Sequence, residues 1–250
     1  MSKPLRTTNP KRQANTLLII IITRKWRARS LRLGVRVMNL MLGDCLERMK
    51  EIPDGSVDMI LTDPPYGMDF QSNRRKVSYE KIKNDVDLKW LDVWVDDLFR
   101  VAANNTAHYV FCSFHNVDKF KQALERKFKI KNMLIWEKNN ASMGDLKGDF
   151  APKYEMIIFI HKGRRLINGK RDANILKFSR TGNKLHPAQK PVDLLEYLLT
   201  KFSDKGGVIL DPFMGSGSTG VAAKNLNRDF IGIEMDEEYF NTAKDRIENA

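Results

Sequence analysis

An apolar run over residues 207–210 opens a regular succession of patterns in the last third of the chain. The run is followed by a turn with two glycines, Asp211-Pro212-Phe213-Met214-Gly215-Ser216-Gly217-Ser218-Thr219. A helical pattern comes next, and a second apolar run over 230–233 ends at Glu234. Strand, glycine-rich turn, helix, strand and acidic residue is the order of a nucleotide-binding βαβ unit.

The residues of this unit indicate what kind of ligand it holds. Gly215 and Gly217 permit positive φ and close approach of a ligand. Glu234 is placed to accept hydrogen bonds from both hydroxyls of a ribose. A third glycine at dinucleotide spacing and a Walker lysine are both missing from the sequence. The pattern therefore favours a nucleoside ligand without a pyrophosphate.

The chain from Met38 onward alternates strand and helix patterns, which predicts an α/β domain over residues 38–250. Helical spacing is present at Leu46, Met49 and Ile52, and again from Leu91 to Val101. Further strand candidates lie at 40–42, 57–61, 108–112, 130–136 and 154–160, and the last two are candidates for a hairpin. A chain of 250 residues is long enough for one sizeable core.

The net charge of +12 is distributed unevenly along the chain. Residues 1–37 hold ten Lys and Arg and no Asp or Glu, whereas residues 139–185 hold ten basic and four acidic residues. The first segment is interpreted as a dispensable extension, with a DNA-contacting arm and a membrane-surface anchor as alternatives. Residues 139–185 are either a solvated loop region or a segment that faces nucleic acid, since Lys and Arg neutralise phosphates.

Cysteine content and hydropathy exclude several classes of protein. The two cysteines, Cys45 and Cys112, are far apart and have no metal-ligand spacing, which predicts no metal site, no disulfide and a reducing, cytoplasmic location. The apolar run over residues 17–22 is too short to span a bilayer, so no membrane partner is expected.

A second turn with chemical potential follows the apolar run over 57–61: Asp63-Pro64-Pro65-Tyr66. It would place a carboxylate, a stiff turn and an aromatic ring at the carboxyl edge of the sheet, where open α/β sheets build their sites. Two prolines remove two N–H donors, so the carbonyls of the turn can point at a ligand.

Together these stretches resemble the amino-group DNA methyltransferases. Asp63 to Tyr66 is similar to motif IV of that family, 211–217 to motif I, Glu234 to motif II, Gly43-Asp44 to motif III and 186–191 to motif X. The order of the motifs resembles the β group of the family. The resemblance implies a Rossmann-like, circularly permuted sheet that binds S-adenosylmethionine, with one antiparallel strand at about 154–160. In that sheet the strands before the two turns would be neighbours.

The resemblance also implies roles for individual residues. Catalytic roles fall to Asp63, Pro64, Pro65 and Tyr66. Cofactor contacts fall to Asp44, Cys45, Asp63, His186, Lys190, Asp211, Phe213, Gly215, Ser216, Gly217, Ser218 and Glu234. Double-stranded DNA would be bound by Arg74, Arg75, Lys76, Arg164, Arg165, Lys170 and Arg171, with 139–185 as target-recognition segment. The oligomeric state, monomer or homodimer, is left open.

The implied reaction is methylation of the adenine N6 amino group in a specific DNA sequence, by base flipping and direct in-line attack. Asp63 and the Pro64 carbonyl would accept hydrogen bonds from the amino group, and Tyr66 would stack on the base. Asp at the first position of motif IV favours adenine. Two alternatives are cytosine-N4 methylation, which uses the same geometry, and a DNA-binding protein that has lost catalysis.

Overall fold

A computed structural model describes residues 37–66, 88–141, 147–182 and 188–250 of the chain. The strands are β1 (Met38–Leu42), β2 (Met59–Thr62), β3 (Thr106–Cys112), β4 (Lys129–Glu137), β5 (Tyr154–Lys162), β6 (Ile175–Lys177), β7 (Val208–Asp211) and β8 (Asp229–Glu234). The helices are α1 (Cys45–Arg48), α2 (Leu91–Val101), α3 (Val117–Glu125), α4 (Val192–Phe202), α5 (Ser218–Asn225) and α6 (Glu237–Glu248).

These strands form one mixed sheet in the order β1-β8-β7-β2-β3-β5-β4-β6. β5 is antiparallel to both of its neighbours, and every other described pair is parallel. The first and last strands of the sequence, β1 and β8, are hydrogen-bonded side by side. The predicted α/β class, the permuted order and the antiparallel strand are therefore confirmed.

Helices cover both faces of the sheet, and each face has its own hydrophobic cluster. On one face, Ile60 of β2 packs in a cluster with the buried sides of α1, α2 and α3. On the other, Met59 and Leu61 belong to a cluster with α4, α5 and α6. Successive residues of a strand point to opposite faces, which is why a fully apolar strand fits only between two helix layers.

One local expectation needs correction, and one short strand was not predicted. The helix expected over Leu46 to Ile52 has only four residues and continues as a 3-10 turn, Met49–Glu51. Ile52 is already extended, because the ring of the following proline, Pro53, disfavours the helical conformation at the residue before it. β6 was not predicted, since three residues are too few to show a strand period.

Residues 139–185, predicted as the target-recognition segment, include β5 and β6, so part of this range belongs to the central sheet. The basic extension lies outside the described residues except for Val37. Among the helices of the described ranges, none has the length and apolar character needed to cross a membrane.

Candidate active site

The two predicted turns lie next to each other at the carboxyl edge of the sheet. β2, which leads into Asp63, and β7, which leads into the glycine-rich turn, are parallel neighbours. The hydroxyl of Thr62 donates a hydrogen bond of 2.9 Å to Oδ1 of Asp211, so the ends of the two strands are joined directly. About 150 residues of sequence separate these positions, and the sheet brings them together as the sequence predicted.

The glycine-rich turn is organised around the buried carboxylate of Asp211. It accepts hydrogen bonds from the Thr219 hydroxyl (2.7 Å) and the Phe213 amide (3.1 Å), in addition to the one from Thr62. Burial raises the pKa of Asp211 to about 6, and these donors oppose the rise. Asp211 therefore shapes the turn, and direct contact with a cofactor stays a prediction.

The conformation of the turn depends on glycine and on α6. Gly217 has φ +77°, and a Cβ there would lie 2.9 Å from Cβ of Ala243 in α6. Arg246 of the same helix donates hydrogen bonds to the carbonyl and the hydroxyl of Ser216. Positive φ at Gly215 and Gly217 was expected. Gly217 also lets the turn approach α6 closely, and close approach of a ligand to these glycines stays a prediction.

Glu234, at the end of β8, closes the turn from the other side. Its Oε2 accepts a hydrogen bond of 2.9 Å from the Gly215 amide, and its Oε1 accepts one of 2.9 Å from the Asp236 amide. Each carboxylate oxygen can accept a second bond, so capacity for ribose hydroxyls remains. Burial raises the pKa of Glu234.

Gly43 and Asp44, the pair similar to motif III, lie beside Glu234, but the Asp44 side chain hydrogen-bonds within its own segment. The Gly43 amide donates to the Glu234 carbonyl (2.8 Å), and the Asp44 carboxylate caps α1 by accepting from the Leu46 amide (2.8 Å). Cys45 is buried, and burial next to Asp44 raises the pKa of its thiol to about 12. Contacts of Asp44 and Cys45 with a cofactor remain predictions.

An aromatic cluster lines the same edge. The ring of Phe213 lies 5.6 Å from Trp90 and 5.7 Å from Trp94, centroid to centroid. Partly exposed Phe213 and Trp90 offer apolar surface to a flat ring, and Glu234 and the glycine turn offer polar groups to a sugar. The residues present fit the nucleoside part of S-adenosylmethionine.

In the acceptor turn, each carboxylate oxygen of Asp63 accepts a hydrogen bond. The Tyr66 hydroxyl donates to Oδ1 of Asp63, and the Lys190 ammonium donates to Oδ2. The Tyr66 carbonyl accepts a hydrogen bond of 2.6 Å from the side chain of Asn116, which follows β3. Burial raises the pKa of Asp63, and the positive charge of Lys190 opposes that rise.

Lys190 belongs to a chain of four charges. Its ammonium lies 3.2 Å from Oε2 of Glu155 on β5, and Lys138 pairs with Oε1 of Glu155 at 2.7 Å. Burial alone would lower the pKa of Lys190, but the carboxylates of Asp63 and Glu155 raise it above its ordinary value. A cofactor role for Lys190 stays a prediction, and the described carboxylates that its ammonium contacts are those of Asp63 in the acceptor turn and Glu155 on β5.

Several predicted DNA-binding residues lie at the opposite edge of the sheet. Arg164 donates through its backbone to Asn105, which precedes β3, and Arg165 pairs with Asp204, which precedes β7, at 2.7 Å. Lys170 and Arg171 are exposed, and the Lys170 carbonyl accepts from Lys201 in the last turn of α4. The structure therefore does not bring these four residues to Asp63. Arg74, Arg75, Lys76 and His186 lie outside the described residues.

Sequence reasoning missed four residues of the site: Thr62, Asn116, Glu155 and Lys138. Glu155 had a detectable signal, since it is an acidic residue in a strand that otherwise reads as buried. The other three are ordinary polar residues next to strand ends, and only the fold shows what they contact.

Cysteine and metal chemistry find no support among the residues that the structure describes. Burial raises the pKa of the Cys112 thiol to about 12, so it is a poor nucleophile at neutral pH. No group of three or more His, Cys, Asp or Glu side chains in the described ranges is arranged to hold a metal ion.

Comparison with known proteins gives a consistent result. The family model N6_N4_Mtase, described as a DNA methylase, matches residues 57–245. The type II methyltransferase M2.MboI of Moraxella bovis is 30% identical over 236 residues, which cover 83% of this chain and 86% of that protein. The structure of M1.HpyAVI in complex with SAM superposes with a TM-score of 0.66 at 28% identity, covering 84% of this chain and all of the other. PvuII DNA methyltransferase, named as cytosine-N4-specific, shares the fold with a TM-score of 0.68 at 18% identity, covering 84% and 87%.

Proposed function

We propose that this chain, which belongs to the N6/N4 family of DNA methylases, methylates the N6 amino group of adenine in a specific sequence of double-stranded DNA. The family uses S-adenosylmethionine, which supplies an electrophilic methyl group when it is bound. The observation that carries the proposal is the position of Asp63 beside the glycine-rich turn, on neighbouring parallel strands.

Asp63 and the Pro64 carbonyl activate the amino group. The lone pair of an exocyclic amino nitrogen is delocalised into the ring, so the nitrogen is a poor nucleophile. Hydrogen bonds from its two hydrogens to the Asp63 carboxylate and the Pro64 carbonyl draw it toward tetrahedral geometry and localise the lone pair. The turn is fixed by two prolines and by the bond from Asn116 to Tyr66, so the acceptors are oriented before the base arrives.

Tyr66 changes partner when the base enters. Its hydroxyl occupies Oδ1 of Asp63, one of the positions that the amino group needs. Release of that hydrogen bond frees the carboxylate and lets the ring stack on the flipped base, a contact worth about 1–3 kcal/mol.

The DNA approaches from the carboxyl edge of the sheet, where Phe114 is presented. Phe114 is 55% exposed on the turn that follows β3, and its ring lies 3.9 Å from that of His115. The same turn carries Asn116, which holds the Tyr66 carbonyl. A large exposed aromatic side chain next to the acceptor turn suits stacking on an unpaired base. Within residues 139–185, phosphate contacts would come from basic residues at this edge, such as Lys153 and Lys177, which pair with Glu137 at the end of β4. Arg164 and Arg165 lie at the opposite edge and would not reach DNA bound here.

Cytosine N4 is the second candidate acceptor. Its amino group presents the same two hydrogens to Asp63 and Pro64, and the name of PvuII DNA methyltransferase places that specificity on a related fold. Asp63 favours adenine, because Asp at this position of the motif goes mostly with adenine and Ser with cytosine.

Product analysis tests the proposal. Purified protein is incubated with tritiated S-adenosylmethionine and unmethylated double-stranded DNA, and the DNA is digested to nucleosides. We expect label in N6-methyldeoxyadenosine. Label confined to N4-methyldeoxycytidine would replace adenine by the second candidate, and unlabelled DNA across a set of random sequences would favour a protein that binds DNA without catalysis.

A further inference from the structure

Both oxygens of Asp63 are occupied in this structure, although the proposed reaction needs at least one of them for the amino group. The Tyr66 hydroxyl is neutral and can turn away at the cost of one hydrogen bond. Lys190 differs, because its side chain is only 9% exposed and its ammonium cannot be returned to water by a small rotation. Moving a buried cation away from its anion is costly unless a second anion receives it.

Glu155 is that second anion. Its Oε2 lies 3.2 Å from the Lys190 ammonium, is buried, and makes no hydrogen bond with good geometry to any described residue. Its Oε1 is engaged by Lys138 at 2.7 Å. One oxygen of Glu155 is therefore anchored, and the other has an open hydrogen-bonding position beside Lys190.

We propose that Glu155 is a positioning residue that takes over the Lys190 ammonium when the amino group of the target base binds to Asp63. This inference rests on the role proposed above for Asp63. In the resting site Lys190 pairs mainly with Asp63, and in the substrate-bound site it pairs with Glu155. No covalent bond forms or breaks and no proton leaves Lys190, so only hydrogen bonds change partner.

The four charges make the exchange electrically balanced. Asp63 and Glu155 carry two negative charges, Lys190 and Lys138 carry two positive charges, and the total stays zero in both arrangements. The nearby charges of Lys190 and Lys138 lower the pKa of Glu155 in spite of its burial, so Glu155 is ionised in both arrangements. The developing positive charge on the methylated nitrogen then faces an Asp63 carboxylate that is no longer neutralised by direct contact with Lys190, which stabilises the transition state.

Glu155→Gln and the double variant Glu155→Gln/Lys190→Gln separate this role from a structural one. Without the second anion, Lys190 stays on Asp63 and blocks the amino group, so we expect kcat of Glu155→Gln to fall by about 10- to 100-fold. Removing Lys190 as well removes the block. We therefore expect the double variant to transfer methyl groups faster than Glu155→Gln alone at alkaline pH, where the Asp63 carboxylate is ionised without Lys190.

Lys190→Gln alone has a distinct pH signature. Burial raises the pKa of Asp63, and loss of the Lys190 charge raises it further. The carboxylate must be ionised to accept from the amino group, so we expect kcat of Lys190→Gln to be low near neutral pH and to rise toward alkaline pH. Lys190→Arg should restore much of the activity at neutral pH.

Single-turnover methyl transfer at saturating S-adenosylmethionine and DNA is the assay, with thermal unfolding and S-adenosylmethionine affinity measured for every variant. Glu137→Gln is the matched control, because Glu137 pairs with Lys153 at the surface of the neighbouring strand, and its kcat should equal wild type. At alkaline pH, a double variant as slow as Glu155→Gln or slower, with both folded, would overturn the exchange. Wild-type enzyme without transfer would instead refute the proposed function.

Discussion

Replacing Thr62 by Val removes the hydrogen bond that joins the acceptor strand to the donor strand while keeping the shape of the side chain. Thr62 is 1% exposed, and its hydroxyl donates to Asp211 at 2.9 Å. A hydrogen bond to a charged group contributes about 1.5–3 kcal/mol. In a domain of this size, 1 kcal/mol shifts Tm by roughly 2–4 °C. We therefore expect Thr62→Val to lower Tm by roughly 3–12 °C near neutral pH, from the product of these two ranges.

The loss of stability in Thr62→Val should increase as pH rises. The pKa of Asp211 is raised to about 6 in the folded protein, whereas an unfolded Asp titrates near roughly 3.9. A carboxyl whose folded pKa is raised destabilises the fold as pH rises between these two values. Thr62 opposes that effect because it stabilises the ionised form. The deficit of Thr62→Val should therefore be small near pH 5 and grow as pH rises through about 6.

Denaturant unfolding at pH 5 and pH 8 measures the loss of stability and its pH dependence, with Thr106→Val as the matched control. The Thr106 hydroxyl is also buried, but its partners are neutral, namely the Ala103 carbonyl and the ring of His108, whose pKa burial lowers to about 3. Its deficit should be the same at the two pH values. A Thr62→Val deficit that is absent, or equal at pH 5 and pH 8, would refute the account of Asp211.

Three other substitutions or treatments have clear expected results. Phe114→Ala should weaken DNA binding by about 5- to 150-fold, the equivalent of 1–3 kcal/mol, in a fluorescence titration, and should leave S-adenosylmethionine affinity unchanged. Leu166→Ala, which removes another exposed apolar side chain, is the control. Gly217→Ala should cost about 1–3 kcal/mol in denaturant unfolding, because of its positive φ and the contact with Ala243; unchanged stability would contradict that packing. Iodoacetamide at pH 8 should label Cys45 and Cys112 slowly in the folded protein and rapidly in denaturant. The reason is that burial raises the pKa of both thiols to about 12. Rapid labelling of the folded protein would contradict their burial.

Most of the fold could be predicted from the sequence because its signals are local. Apolar runs such as 57–61 and helical faces such as Leu91 to Val101 show the period of the element that they form. Permutation followed from the order of two turns. The short helix after Asp44 could not be predicted from its period alone, since Pro53 and the cap at Asp44 limit it to one turn.

The site was less predictable where it depends on contacts between distant residues. Asp63, Gly215, Gly217 and Glu234 stand in recognisable turns, and the sheet assembles them at one edge. Charge alone, by contrast, does not tell which edge of the sheet a residue reaches. Arg165 shows this, because it lies at the far edge and pairs with Asp204. Glu155 could be noticed as an acidic residue in a buried strand, but its partners Lys138 and Lys190 are known only from the fold.

The central claim is that Asp63 activates the amino group at a site shared with the glycine-rich turn. Asp63→Ala tests it most directly, with S-adenosylmethionine affinity and single-turnover methyl transfer to DNA measured on the same preparation. The resemblance also implies a cofactor contact for Asp63, but the described partners of its carboxylate are Tyr66 and Lys190, so we expect the affinity to stay within a few-fold of wild type. Methyl transfer should fall by at least about 10³-fold, since the loss removes an interaction made in the transition state. Methyl transfer by Asp63→Ala at the wild-type rate would contradict the account.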